Sequence, residues 1–216
     1  MTGDGRARST RLDRRKARTR EALIDAASRL IAEGRGERAS IQEITDRADV
    51  GFGSFYNHFE SKEQLFRTAS EELLERWGQL IDRACEGMTD PAQVFAVSYR
   101  ISGRLGWTHP ELARFLVGVG LDILDSTLGL APRARRDIEA GQAAGRFAVA
   151  NVEVALSAAA GGLLGLLRLC ATPAYRIRPE EVDDLTRAVL RMLGVAADEA
   201  VRLVAQPLPD VESLLP

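Results

Sequence analysis

Within residues 40–62 the chain gathers side chains suited to hydrogen-bonded recognition: Ser40, Ser54, Tyr56, Asn57, His58 and Lys62. A serine hydroxyl donates or accepts at a base edge or a phosphate. An asparagine amide can pair with adenine through two bonds or hold a phosphate. Tyrosine puts a hydroxyl on a rigid ring, histidine offers a ring N–H, and Lys62 stands at a helix start, where the dipole favours anions. Covalent chemistry is poorly supplied. The only histidines, His58 and His109, lie far apart, and no metal-ligand spacing, phosphate-binding glycine loop or nucleophile elbow occurs. The sequence therefore predicts a binding protein with no catalytic residues, no metal and no cofactor.

Two short helices must position these groups. Ser40 and Glu43 have the S-x-x-E spacing of a capping box, in which each side chain satisfies a free N–H at a helix start. Ile44 and Ala48 fall one turn apart. Asp49-Val50-Gly51 then breaks the helix, because Asp tolerates left-handed backbone and Gly permits almost any. Val50 pins the turn, residues 52–58 make the second helix, and Ser61 with Gln64 caps the next. This is the helix-turn-helix unit, whose second helix lies in the DNA major groove. Gly51, Phe52, Gly53, Ser54 and Asn57 are then its early and outward residues, and Phe55 and Phe59 are core. Phe52 has two readings: contact with a thymine methyl, or packing inward.

The run Gly53-Ser54-Phe55-Tyr56-Asn57-His58-Phe59-Glu60-Ser61-Lys62 resembles the recognition-helix signature of the TetR family of bacterial transcriptional regulators, roughly G-[ST]-[LF]-Y-x-H-F-x-[SN]-K, at eight positions in order. The motif-level resemblance covers about residues 17–66. It implies that Tyr56, His58 and Lys62 hold the phosphate backbone. The plainer alternatives are a core aromatic for Tyr56 and a helix cap for His58. Phe52 departs from the pattern, since members often carry a polar or basic residue there. Ser40 can also accept a phosphate at its helix N-terminus.

The whole chain agrees with this division. Its 216 residues are 45% hydrophobic and 28% charged, with a net charge of −2. Residues 1–62 carry thirteen basic and ten acidic residues, a net of +3, and residues 63–216 a net of −5. A basic head on an acidic body suits a protein that meets phosphate at one end. The first twenty residues hold eight basic groups, read as a solvated tail or as an arm reaching DNA. Cys85 and Cys170 read as buried structural thiols. The charged N-terminus has no signal-peptide pattern, and the uncharged run 154–167, bounded by Glu153 and Arg168, is 14 residues, short for a membrane span. The expected location is the cytoplasm, without membrane association.

Helical periodicity runs throughout, and no strand pattern competes. The sequence predicts an all-α fold: a three-helix head with a basic arm over residues 1–62, and a larger helical body over 63–216, which the TetR resemblance implies is a ligand-binding and dimerisation domain. Helices are expected over residues 15–34, from 61 to about 86 as a connector, after Asp90-Pro91, after a Thr108–Glu111 box, from Ala131-Pro132 to Gly145, after Asn151, from Pro179 to Gly194, and over 196–205. Residues 152–170 are apolar nearly all round and carry Ala158, Gly161, Gly162 and Gly165, so they must be covered on every side. The residues alone fit a monomer core or a four-helix dimer interface with residues 179–193 equally well. The TetR resemblance implies a homodimer through these helices, with two heads on a palindromic operator of double-stranded DNA. It further implies a small-molecule inducer that releases a repressor. Phe95, Tyr99, Trp107, His109, Phe115, Leu116 and Val119 are the candidate pocket, apolar enough for an apolar or amphipathic ligand; plain core is the other reading. An activator using the same head, or a helical interaction module, is the alternative function.

Overall fold

The computed structural model describes residues 4–210, with the side chains of residues 4–12 and Glu37 excepted. Among the described residues the chain is all helix and turn, in two compact units, Met1–Leu73 and Leu74–Pro216. Helix α4 spans Lys62–Ala84 and so belongs to both.

The first unit begins with α1, Asp4–Ala32. The expected tail or arm is thus helical from Asp4, eleven residues earlier than the predicted start. Residues 6–32 contain neither Gly nor Pro and are rich in Arg, Ala and Leu, all strong helix formers, so nothing stops the helix from propagating. Residues 1–3 of that tail, and its side chains through residue 12, lie outside the described residues. Helices α2, Ile41–Arg47, and α3, Phe52–Phe55, follow. Leu23, Ala27 and Leu30 of α1 pack with Ile44, Phe55, Phe59, Leu65 and Ala69 as one buried cluster, and Ala48 and Val50 sit at its edge. Arg47 pairs with Glu33 at 2.7 Å and Arg35 with Glu43 at 2.7 Å around this core.

The second unit takes α4 from Leu74 and adds α5 Pro91–Gly103, α6 Leu105–Thr108, α7 Pro110–Val119, a 3-10 segment Gly120–Asp125, α8 Leu130–Ala143, α9 Val152–Cys170, α10 Pro179–Met192 and α11 Ala197–Ala205. Asp90 caps α5 by accepting from Ala92 N at 3.0 Å, and Asn151 caps α9 by accepting from Val154 N at 3.1 Å. The expected Thr108 box does not form. His109 is the α7 cap, and Thr108 Oγ1 turns back to donate to Arg104 O at 3.2 Å. Phe95, Tyr99, Ile138, Leu156, Leu190 and Leu203 share the core. An ideal Cβ at Gly141 would lie 2.1 Å from the Phe147 ring, so the glycine is what lets Phe147 lie on α8. Arg100, 5% exposed, is held by Asp183 at 2.8 Å and by Gln206 O at 2.8 Å. Cys85 and Cys170 are free thiols and only partly buried, short of the full burial expected.

Helix α9 has 19 residues with a mean hydropathy of 1.6, long and apolar enough to cross a membrane by length and composition. The 14-residue argument therefore gives way, because the helix extends past both flanking charges. Its N-terminal end and its middle are nonetheless engaged in the bundle. Glu153 pairs with Arg135 at 2.7 Å, and Tyr99 donates to Ala159 O at 2.8 Å. Only 28% of the helix is buried within the chain. Val154, Ala158, Gly161, Gly165 and Arg168, spaced by three and four, form its exposed stripe.

Candidate nucleic-acid interface and body cavity

In the first unit, α2 ends in a Schellman turn: Val50 N donates to Thr45 O at 3.0 Å and Asp49 N to Asp46 O at 3.2 Å. Asp49 takes the left-handed position, φ 52°, and is the only non-glycine residue at positive φ among the described residues. At the other end Ser40 Oγ accepts from Glu43 N at 3.1 Å. Half of the expected capping box is present; the Glu43 carboxylate is taken by Arg35. The second helix is shorter than expected, ending at Phe55. Residues 56–59 continue as tight turns, with Asn57 N donating to Ser54 O at 3.3 Å and His58 N to Phe55 O at 3.0 Å.

This backbone sorts the side chains. Phe55 and Phe59 are buried, while Gly51, Phe52, Gly53, Tyr56 and Asn57 are exposed and Ser54, His58 and Lys62 half-buried. Phe52 is 46% exposed and Tyr56 56%, so neither is core. Their rings meet edge to face at 5.9 Å, and Tyr56 rests against Phe55 at 5.3 Å. Lys62 Nζ donates to Ala39 O at 3.2 Å, which brings it beside exposed Ser40.

Sequence reasoning missed the contribution of α1. Burial pushes the His58 pKa below its ordinary value, and Lys16 and then Arg20 push it further down. Those two cations, one helical turn apart on α1, thus stand near His58, and the Arg20 guanidinium lies 5.3 Å from the Phe59 ring centre. Their i, i+4 spacing is legible in the sequence, since both fall inside the helix expected over residues 15–34.

The second unit holds a partly open cavity of about 80 Å³ bounded by α4, α5, α7, α8, α9 and the segment 120–125. Phe95, Tyr99 and Leu116 line it; Trp107, His109, Phe115 and Val119 do not. His109 instead meets the Trp77 ring at 4.7 Å, and burial lowers its pKa. The lining is mostly aliphatic, from Ile123, Leu124, Leu156 and Leu163 among others, with one charged wall that the sequence reading did not single out: Asp82, Arg133, Arg136 and Asp137. Arg133, Arg136 and Asp137 recur at i, i+3, i+4 on α8. That spacing is the signal that could have found them.

The charged wall is largely self-satisfied. Arg133 donates through Nε to Asp82 Oδ2 at 2.8 Å, through Nη2 to Glu75 Oε1 at 2.8 Å, and through Nη1 to Glu75 Oε2 at 2.8 Å and Gly129 O at 2.7 Å. Chiefly through Arg133, the Glu75 carboxyl is held down at about 2. An ideal Cβ on Gly78 would lie 2.7 Å from the guanidinium carbon, so glycine at this point of α4 leaves the space Arg133 occupies. Arg136 gives two bonds to Asp137 Oδ1, at 3.0 and 2.9 Å, and one to Asp82 Oδ1 at 3.0 Å. Tyr99 is spent on Ala159 O and Ser102 on Ser98 O at 2.8 Å. Asp137 is 5% exposed, and burial raises its pKa.

The family model described as Bacterial regulatory proteins, tetR family, matches residues 23–69, and that described as Tetracyclin repressor-like, C-terminal domain, matches residues 90–206. The structure of RolR in complex with the ligand resorcinol is 32% identical, with a TM-score of 0.79 over 92% of this chain and 98% of that one. RolR without ligand is 32% identical, with a TM-score of 0.76 over 88% of this chain and 98% of that one. The HTH-type nicotine-responsive transcriptional repressor HdnoR of Paenarthrobacter nicotinovorans is 31% identical over 106 residues, 46% of this chain. The match spans 53% of HdnoR, so the chain covers about half the length of this curated relative.

Proposed function

We propose, from the premise that the chain belongs to the TetR family of bacterial regulatory proteins, that it is a dimeric repressor which leaves a palindromic operator when a small molecule enters its body cavity. The chain is a DNA-binding transcriptional regulator and not an enzyme. A regulator of bacterial DNA works in the cytoplasm, where the operator is.

The observation that carries the reading is the head surface. Exposed Phe52 and half-exposed Ser54 on the short helix, with exposed Tyr56 and Asn57 on the turn that follows, are fixed from beneath by Phe55 and Phe59. In the major groove, Ser54 and Asn57 would meet base edges and Phe52 a thymine methyl, with Gly51 and Gly53 allowing close approach. Ser40, Tyr56, His58 and Lys62 would hold phosphates, joined by Lys16 and Arg20. Those contacts set register, and the base contacts set sequence choice.

Dimerisation is supported by α9. An added Cβ on Gly161 or Gly165 would meet nothing within 4 Å, so packing within the chain does not call for glycine there. Glycine inside a helix costs about 1 kcal/mol relative to alanine. A second copy of the helix at close range, completing a four-helix arrangement with α10, accounts for that cost. The likeness to RolR, whose described complex holds resorcinol, supports a ligand-responsive body with a small effector.

The test is a titration of the purified protein against the DNA upstream of its own gene. A two-fold symmetric footprint with half-sites about one helical turn apart, or a simple multiple, is expected. A single asymmetric half-site overturns the dimeric reading, and no preference over random DNA overturns the operator reading.

A further inference from the structure

We propose that an arginine face on the first part of α1, made by Arg14, Arg15 and Arg18 and continued in register by Arg8 and Arg11, binds the sugar–phosphate backbone of the DNA that flanks each half-site. This extends the operator reading beyond the helix-turn-helix, and it rests on that reading for where the head sits.

Helical register separates two sets of cations on α1. Lys16 and Arg20 continue the line of buried Leu23, Ala27 and Leu30 in steps of three and four. Arg8, Arg11, Arg14, Arg15 and Arg18 repeat at the same steps on the opposite side of the helix, within an arc of about 120°. Residues 13–18 are all exposed, so this stretch of α1 projects from the head core without packing of its own.

The outward side is sorted by charge along the helix. Where α1 begins to pack on the core, its first outward positions are acidic, the exposed Glu21 and Asp25. Ahead of the core they are arginine. A face kept only for solubility does not call for that sorting. Like charges three and four residues apart repel, and a helical stretch of this length without packing is marginal in water. An anionic surface alongside removes the repulsion and supplies the missing contact.

Duplex DNA is the anion that continuity provides. The Arg20 guanidinium lies 5.3 Å from the Phe59 ring centre, and, after burial itself, Lys16 and Arg20 lower the His58 pKa. This part of α1 therefore leaves the core beside the recognition surface. From Arg8 to Arg18 the helix rises about 15 Å, the length of roughly four to five base pairs. Guanidinium contacts to phosphate carry no sequence information, so the length of the flank matters and its sequence does not.

The experiment uses the full-length protein and fluorescence anisotropy with three duplexes. One is the operator cut at the outer edges of its half-sites. The second adds about ten base pairs of arbitrary sequence on each side, twice the reach of the face. The third is a random duplex of that longer length. The wild type is expected to gain about tenfold or more in affinity from the flanks, whatever their sequence. Arg14→Gln/Arg15→Gln/Arg18→Gln should lose that gain. It should also lower the slope of log affinity against log salt by about two or more, one phosphate for each protomer of a dimer, on operator and random DNA alike. Arg14→Lys/Arg15→Lys/Arg18→Lys should restore both. If the flanks add nothing to the wild type, or if the glutamine variant keeps the gain and the slope, the arginine face does not meet DNA. A gain that varies with flank sequence overturns the backbone contact in favour of base readout. A lysine variant as weak as the glutamine one overturns the role of charge. If the wild type binds the operator no better than random DNA, the operator reading fails, and the slopes on random DNA still decide the arginine face.

Discussion

Replacing Gly161 and Gly165 together by leucine separates folding from association. Within one chain the change is favourable, because a Cβ at either site meets nothing within 4 Å. Leucine exceeds glycine in helix propensity by about 0.7 kcal/mol per site, so the double variant gains roughly 1–1.5 kcal/mol in helix stability. Across a two-fold interface the same side chains intrude four times. Overpacking costs about 1–3 kcal/mol per position, so the dimer loses roughly 4–12 kcal/mol. At 1.4 kcal/mol per factor of ten, the lower bound already weakens the dissociation constant about a thousandfold. Sedimentation velocity at micromolar concentration should show the wild type as a dimer and the variant as a monomer with its helical circular dichroism intact. Operator affinity should fall with it, since two heads no longer bind as one. Gly118→Leu is the control: a Cβ there also meets open space, on the exposed face of α7, so helix stability should rise without a change in the mass of the assembly. A double variant that stays dimeric with unchanged operator affinity would refute the reasoning.

Three further outcomes follow from the geometry. Lys62→Ala should weaken DNA binding across all sequences and lower the slope of log affinity against log salt by about one, and Tyr56→Ala should weaken it across all sequences at an unchanged slope, because its hydroxyl is uncharged, both read from gel-shift titrations; an unchanged slope in Lys62→Ala and an unchanged affinity in Tyr56→Ala remove the phosphate role. The His58 pKa is depressed in the free protein, and a nearby phosphate would raise it. Proton uptake on binding then makes operator affinity greatest at low pH, falling as pH rises through the bound-state value. His58→Gln should flatten that dependence, and a curve that persists in the variant excludes His58 as its source. The Glu75 carboxyl, held at about 2 against an ordinary 4.5, contributes stability that is full above pH 4.5 and lost as pH falls towards 2. With the side chain 23% exposed, Glu75→Gln should cost about 1–2 kcal/mol in urea unfolding at pH 7, a difference that closes in acid.

Local signals made most of the fold legible. Asp90, Asn151 and Pro179 marked helix starts that appear where expected, because a cap acts through its own backbone neighbours. Thr108 failed because Arg104 O, one turn back, offered its hydroxyl a nearer partner than the next helix. Charge misled at the N-terminus: eight basic residues suggested a tail, yet helix propensity without a breaker carries α1 back to Asp4. The head surface is contiguous in sequence, so Phe52 and Asn57 could be placed among the early and outward residues of the second helix, while Tyr56 entered through the family resemblance. The cavity is assembled from six separated elements, and aromatic content was a poor guide to it. Trp107 and His109 lie elsewhere, while the polar wall depends on Asp82 and Asp137, 55 positions apart, meeting through Arg136.

Gly78 has a consequence for the sequences this architecture can accept. The guanidinium of Arg133 fills the space where a side chain would begin, and from there it reaches Glu75 and Asp82, on either side of Gly78 along α4. These four positions form a single unit of inheritance. A relative that replaces the glycine must move the guanidinium and so weaken its hold on both acids, with Arg136 still bonded to Asp82, so the four residues are expected to covary. An alignment can be searched for that covariation directly, and a lineage in which position 78 carries a side chain should have rebuilt its cavity wall with different chemistry and a different effector.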